Sequence, residues 1–203
     1  MLSFQTVESH TLELLKQIMT SPLFTELRLV GGTALALQLG HRKSIDLDLF
    51  GRLTAENKEI KDYLSTLGKL SVLKESENIK TYTINGVKID LVNYSYAWID
   101  APIIDKDIRL ASMRDIAAMK INAIEGRDSR KDFVDIYFLL QHFSLSEVLS
   151  FYMKKYPEYS ILRALMSLTY FEDANQQISP QMLIPVDWTT IQTVITDTVK
   201  AYK

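Results

Sequence analysis

The segment Ser44-Ile45-Asp46-Leu47-Asp48-Leu49-Phe50 sets two aspartates into a strict alternation with apolar residues. An extended strand uses such an alternation, because successive side chains point to opposite faces. Ile45, Leu47 and Leu49 then face a core, and both carboxylates share the other face, roughly 7 Å apart along the chain. Aspartate is depleted in strands, which weighs against the plainer reading of an edge strand with a solvated acidic face. Upstream, the short apolar run 27–30 stops at Gly31-Gly32 and reads as a strand entering a tight turn. Residues 33–39 are rich in Ala and Leu and read as a helix closed by Gly40. Downstream, 70–74, 79–84 and 87–93 read as strands, with Asn85-Gly86 a two-residue hairpin turn. Helical patterns over 7–19 and 54–67, the second capped by Thr54, complete an α/β unit over residues 1–110: a mixed sheet flanked by helices.

The pattern changes near Leu110. Ser112 with Asp115 resembles a capping box opening a helix to about residue 125, and Ser144 with Glu147 repeats it. Helices are predicted over 131–142 and 159–168 and from Asp187 to the C-terminus, with 170–185 polar and irregular. The fold class is therefore α+β, the second unit, 111–203, being a helical bundle. Without a Gly/Ser/Pro-rich linker between them, the halves are expected to pack closely. A chain of 203 residues, 47% hydrophobic, can bury the core this needs.

Composition removes several classes of function. The formal charge of −2, from 23 basic and 25 acidic residues, supplies no global field toward nucleic acid or anionic lipid. No cysteine is present, so there is neither a disulfide framework nor a thiolate metal site. His10, His41 and His142 are too scattered for a zinc centre. No apolar stretch approaches the ~20 residues of a membrane span, and no secretory leader opens the chain. A cytoplasmic protein without a membrane partner is the expectation.

The residues that carry chemistry are few. Asp46 and Asp48 on one face could hold a hard divalent cation, Mg²⁺ or Mn²⁺, which takes one or two carboxylates plus phosphate oxygens. Asp90, in Lys88-Ile89-Asp90-Leu91, could complete that site or take a proton from an attacking hydroxyl; alone it reads as an exposed strand residue. Gly31 and Gly32 let backbone N–H groups approach a phosphate, and the Thr33 hydroxyl could cap the helix or bind a phosphate oxygen. An ordinary tight turn explains Gly-Gly-Thr equally well until Asp-x-Asp follows it. In His41-Arg42-Lys43-Ser44, Arg42, Lys43 and Ser44 could meet phosphate, while a solvated turn serves as well for His41 and Lys43. Lys120 and Arg127, seven apart, return to nearly the same helix face. Together they could neutralise a triphosphate opposite the carboxylates, or form a solvated face with ordinary ion pairs, the reading preferred for Arg130 and Lys131. Asp132 or Asp135 could orient Arg127. Tyr152, Tyr156 and Tyr159 read as packing residues, and no aromatic–basic stripe announces an RNA surface.

Two blocks resemble the AbiEii/AbiGii-type nucleotidyltransferase toxins. One is Gly31-Gly32-Thr33-Ala34-Leu35-Ala36-Leu37 with His41 through Phe50; the other runs from Leu110-Ala111-Ser112 through Lys120 to Asp132-Phe133 and Asp135-Ile136-Tyr137. They fall in the family's order, with Lys-Ile-Asp-Leu between them. The resemblance implies a DNA-polymerase-β-like nucleotidyltransferase fold with an appended helical bundle. It implies Asp46 and Asp48 as metal ligands, Gly32 and Thr33 in the phosphate turn, Asp90 as third acid and Lys120 as the helical lysine, with Asp135 a further family acid. It also implies a cognate antitoxin, membership of a toxin–antitoxin or phage-defence pair, and transfer of NMP from NTP to RNA (tRNA foremost) or protein. A phosphotransferase on the same site, a non-catalytic NTP-binding regulator and an interaction protein on a degenerate fold stay open as alternatives.

Overall fold

The computed structural model describes residues 2–126 and 129–202; Arg127 lies outside the described residues. After α1 (Ser9–Thr20), the chain forms β1 (Arg28–Leu29), α2 (Gly31–Leu39), β2 (Leu47–Gly51), α3 (Asn57–Thr66), β3 (Leu70–Glu75), β4 (Ile79–Ile84), β5 (Val87–Asn93), β6 (Ile103–Asp105) and β7 (Ile108–Leu110). Helices follow: α4 (Met113–Gly126), α5 (Arg130–Leu139), α6 (Leu145–Lys155), α7 (Ile161–Leu168), α8 (Glu172–Asn175) and α9 (Trp188–Ala201). The strands make one sheet in the order β3-β4-β5-β2-β1-β7-β6. It is mixed: β2 runs parallel to β5 and β1 parallel to β7, the other neighbours being antiparallel. The fold is the α+β arrangement expected, a mixed sheet flanked and followed by helices.

The alternation in β2 works as anticipated from Leu47 onward. Leu47 and Leu49, with Ile89 and Leu91 of β5, are wholly buried, and Asp48 and Asp90 stand opposite each other on the other face. Ile45 departs from expectation: it is 63% exposed. Pairing begins only at Leu47. The residues before it are held instead by neighbours outside the sheet, Ser44 N–H donating to the Thr6 carbonyl and Asp46 C=O accepting from the Thr33 hydroxyl.

Local signals set most element ends. Asn85 and Gly86 both have positive φ, 50° and 88°, as a type I′ hairpin turn requires. Gly40 closes α2 in the left-handed region at φ 72°. Ser144–Glu147 and Asp187 cap α6 and α9, and Ser112 Oγ accepts from Asp115 N–H at 3.1 Å. Glu56, not Thr54, opens α3, through a capping box with Glu59. The β6–β7 hairpin has strands of three residues, too short for an alternation to reveal it. Around residue 182 the irregular stretch is strapped onto the turn before β2. Lys43 N–H donates to the Gln181 carbonyl, and Leu183 and Ile184 N–H donate to that of His41. One buried apolar cluster runs from Val7 to Ile195, drawing on sheet and helices alike.

Candidate active site

Register places the acids. Asp48 and Asp90 are paired residues on adjacent parallel strands, so both carboxylates leave the same face and open into a cleft of about 270 Å³. Gly31 forms its floor, Lys120 and Ala123 of α4 face the acids, and Phe50, Tyr96 and Tyr156 make an aromatic wall. Burial, and then the nearby Asp90 charge, push the Asp48 carboxyl above the usual carboxylate range. Lys88 Nζ bonds Asp90 Oδ2 at 2.5 Å; although burial works against its charge, that bond raises the Lys88 ammonium. The other oxygen, Asp90 Oδ1, is buried and without a hydrogen-bond partner.

Asp46 stands one residue before β2 and does not line this cleft, its side chain about a third exposed and its Oδ2 3.6 Å from Lys131 Nζ. It lines a neighbouring depression with Lys88 and Asn85. Among the described residues no three His, Cys, Asp or Glu side chains form a ready cage for a metal. Two close carboxylates, one pushed toward its neutral form and one with a bare buried oxygen, nevertheless fit a cation that completes its shell with phosphate oxygens.

Gly31, at φ 66°, is required twice over: a Cβ there would lie 2.5 Å from Asp48 Oδ2. At Gly32 a Cβ would run into the Arg42 guanidinium. Both glycines open α2, whose first N–H groups have no intrahelical acceptor. Thr33 neither caps that helix nor reaches the cleft. It is buried, and its hydroxyl donates to the Asp46 carbonyl and lies 2.8 Å from Ser44 Oγ. Thr33 and Ser44 thus tie α2 to the approach of β2.

Lys120 does not look outward. It is buried, with Nζ 2.5 Å from both Asp132 Oδ1 and Asp135 Oδ2. Burial works against the ammonium, yet the two carboxylates outweigh it and hold its pKa above the ordinary value. Asp135 is the hub: Arg42 grips it through Nε (2.7 Å) and a terminal nitrogen (2.8 Å), and His41 Nε2 lies 2.8 Å away. Burial alone would raise the Asp135 carboxyl, but Arg42 and Lys120 keep it well below the usual range. His41 is therefore a core residue and not part of a solvated turn, Arg42 is buried beside it, and Asp135 orients Arg42 and Lys120. Arg130 is also more than a solvated cation, donating to the carbonyls of Ala174 and Asn175 and stacking over Trp188 at 4.7 Å. Of the aromatic wall, Tyr156 reads from sequence as a packing residue, and Tyr96 was missed although Tyr94-Ser95-Tyr96-Ala97-Trp98 was its visible signal.

The comparisons with known proteins come from three directions. A family model described as "Nucleotidyl transferase AbiEii toxin, Type IV TA system" matches residues 13–192. An uncharacterized protein of Aquifex aeolicus (strain VF5) is 31% identical over 172 residues, 82% of this chain and 84% of the relative. Among solved structures, a putative nucleotidyltransferase from Helicobacter pylori superposes with a TM-score of 0.62 at 17% identity, covering 98% of this chain and 93% of its own. MenT4, a nucleotidyltransferase toxin from Mycobacterium tuberculosis H37Rv, does so at 0.62 and 13% identity, covering 96% and 82%. At such identities the structural likeness speaks for the fold.

Proposed function

Since the chain belongs to the AbiEii family of nucleotidyl transferase toxins and is thereby a nucleotidyltransferase, we propose that it moves NMP from an NTP onto the hydroxyl of an RNA acceptor, tRNA foremost, with Mg²⁺ as cofactor. It acts in the cytoplasm as the toxin of a pair with a cognate antitoxin, in phage defence or a related system. One observation carries this reading: Asp48 and Asp90 in register on parallel neighbours, facing Lys120 across a cleft of about 270 Å³.

Asp48, with Asp90 opposite and Asp46 two residues before it, would hold a divalent cation that neutralises phosphate oxygens. The first N–H groups of α2, at Gly31 and Gly32, bind phosphate oxygens at the helix N-terminus. Lys120, kept charged and aimed by Asp132 and Asp135, neutralises charge that moves toward the leaving pyrophosphate. Asp90 Oδ1, the bare acceptor, takes the proton of the acceptor hydroxyl as its oxygen attacks the α-phosphorus. The α–β bridging bond breaks and pyrophosphate leaves.

The test is incubation with Mg²⁺, cellular RNA and each NTP labelled in turn at the α- or γ-phosphate, beside Asp48→Asn. Label on RNA from the α-position alone, absent from the variant, is the expected result. Label from the γ-position overturns it for phosphoryl transfer, and label on protein alone overturns the RNA acceptor. Nucleotide binding without any transfer makes the protein a regulator.

A further inference from the structure

A second cleft, of about 350 Å³, lies directly behind the aromatic wall and shares Tyr94 and Tyr96 with the catalytic one. Its remaining lining includes Arg28, Arg52, Arg109 and Trp98, against the single carboxylate of Glu26. The two clefts adjoin through the residues they share. Asp48 and Phe50 line the first and Arg52, two residues on, lines the second, while Phe50 stands opposite Arg28 on the neighbouring strand.

Among the described residues, the hydrogen bonds of Arg28 and Arg109 go to backbone carbonyls and not to carboxylates. Arg109 spends its guanidinium on three backbone carbonyls, those of Met19, Phe24 and Leu27. Arg28 donates to the Asp100 carbonyl and lies flat on Trp98, 4.4 Å from the ring centroid. Burial lowers the pKa of both, and at Arg28 the Asp115 charge offsets part of that shift. Arg52 is exposed, and among the described residues it makes no hydrogen bond or ion pair. Tyr96 stands half-buried and lines both clefts, packed edge-on to Tyr156 at 4.7 Å and tilted against Tyr94 at 5.5 Å.

Positive charge that tracks a backbone, beside aromatic and stacked guanidinium planes, is the chemistry that recognises unpaired nucleotides. We propose that this cleft binds the single-stranded end of the RNA acceptor, with phosphates on Arg52 and Arg28 and a base stacked on Tyr96, so that the terminal hydroxyl reaches Asp90 past Phe50. The inference rests on the nucleotidyl-transfer reading above for the direction of the strand, but it concerns a surface that no catalytic residue occupies.

The experiment measures binding of a fluorescein-labelled single-stranded oligoribonucleotide of roughly eight nucleotides, with the same sequence as a duplex for comparison. Wild type, Arg52→Glu, Tyr96→Leu and Tyr96→Phe are compared over a range of salt, and Mg²⁺–NTP binding is measured separately. The single strand is expected to bind more tightly than the duplex. Arg52→Glu should weaken it on the order of tenfold and reduce the salt slope by about one, leaving Mg²⁺–NTP binding unchanged. Tyr96→Leu should weaken it on the order of tenfold, with Tyr96→Phe restoring the affinity because the stacking face returns. Single-strand binding that neither Arg52→Glu nor Tyr96→Leu alters overturns the cleft while leaving nucleotidyl transfer standing. So does a preference for duplex, or no RNA binding by a protein that still binds Mg²⁺–NTP. Loss of Mg²⁺–NTP binding in the wild type would instead strike the reading on which the inference rests.

Discussion

Asp135 holds Arg42, His41 and Lys120 at once, in a site closed to water. Removing its charge leaves two buried cations short of a partner, a loss of about 3–5 kcal/mol for networks of this kind. Asp135→Asn is therefore expected to lower the unfolding free energy measured in urea by that margin; a midpoint within experimental error of wild type would show the hub to be dispensable. The sign with pH follows from its lowered pKa. The stability that Asp135 contributes is complete above the ordinary Asp value near ~4 and is lost only as pH falls toward the lower folded value, so Asp135→Asn should flatten the acid limb. Asp48 runs the other way. Its raised pKa means that ionisation costs stability as pH climbs through and above the ordinary value. In chelator, Asp48→Asn should melt a few degrees above wild type at neutral pH, the gap closing in acid; an equal or lower melting temperature would contradict the repulsion between Asp48 and Asp90. Sequence showed these carboxylates and Lys120 but not their partners. His41 and Arg42 read as a turn because nothing local reports that α5 folds over them.

Elements decide where the acids point. The alternation of β2 was legible because a strand encodes its faces in a period of two, and Asn85-Gly86 announced the β4–β5 hairpin through its turn chemistry. The pairing of β2 with β5 was not legible, since strand order is set by the whole sheet. Nor was the arginine-lined cleft, which gathers Arg28 from β1, Arg52 from beyond β2, Trp98 from the loop after β5 and Arg109 from β7. The turn into α2 is the tightest of these constraints. Gly31→Ala forces a side chain into the left-handed region and against Asp48, so transfer should fall on the order of a hundredfold through displacement of that carboxylate. Stability should also drop, by about 1–2 kcal/mol. Both are read from a transfer assay and a melt of the same preparation, and full activity in the alanine variant would mean that Asp48 need not sit where it does.

At the scale of the molecule, the cleft between β2, β5 and α4 is closed only when sheet and helices are both in place, and the buried cluster from Val7 to Ile195 joins them. Ligand bound there stabilises the entire fold. Mg²⁺–NTP at a hundred times its dissociation constant should add about 2.7 kcal/mol, a rise on the order of 5–10 °C for a chain of this size. NTP with chelator, or Asp48→Asn with Mg²⁺–NTP, should show little of it in a thermal melt; a rise independent of the metal would remove the cation from the site. The Asp135 hub has a consequence on a longer timescale. Arg42 and Asp135 are 93 positions apart, yet loss of Asp135 would leave the buried Arg42 without its carboxylate, while Lys120 would keep Asp132. Relatives that exchange Asp135 are therefore expected to exchange Arg42 with it, so the two distant positions should vary together.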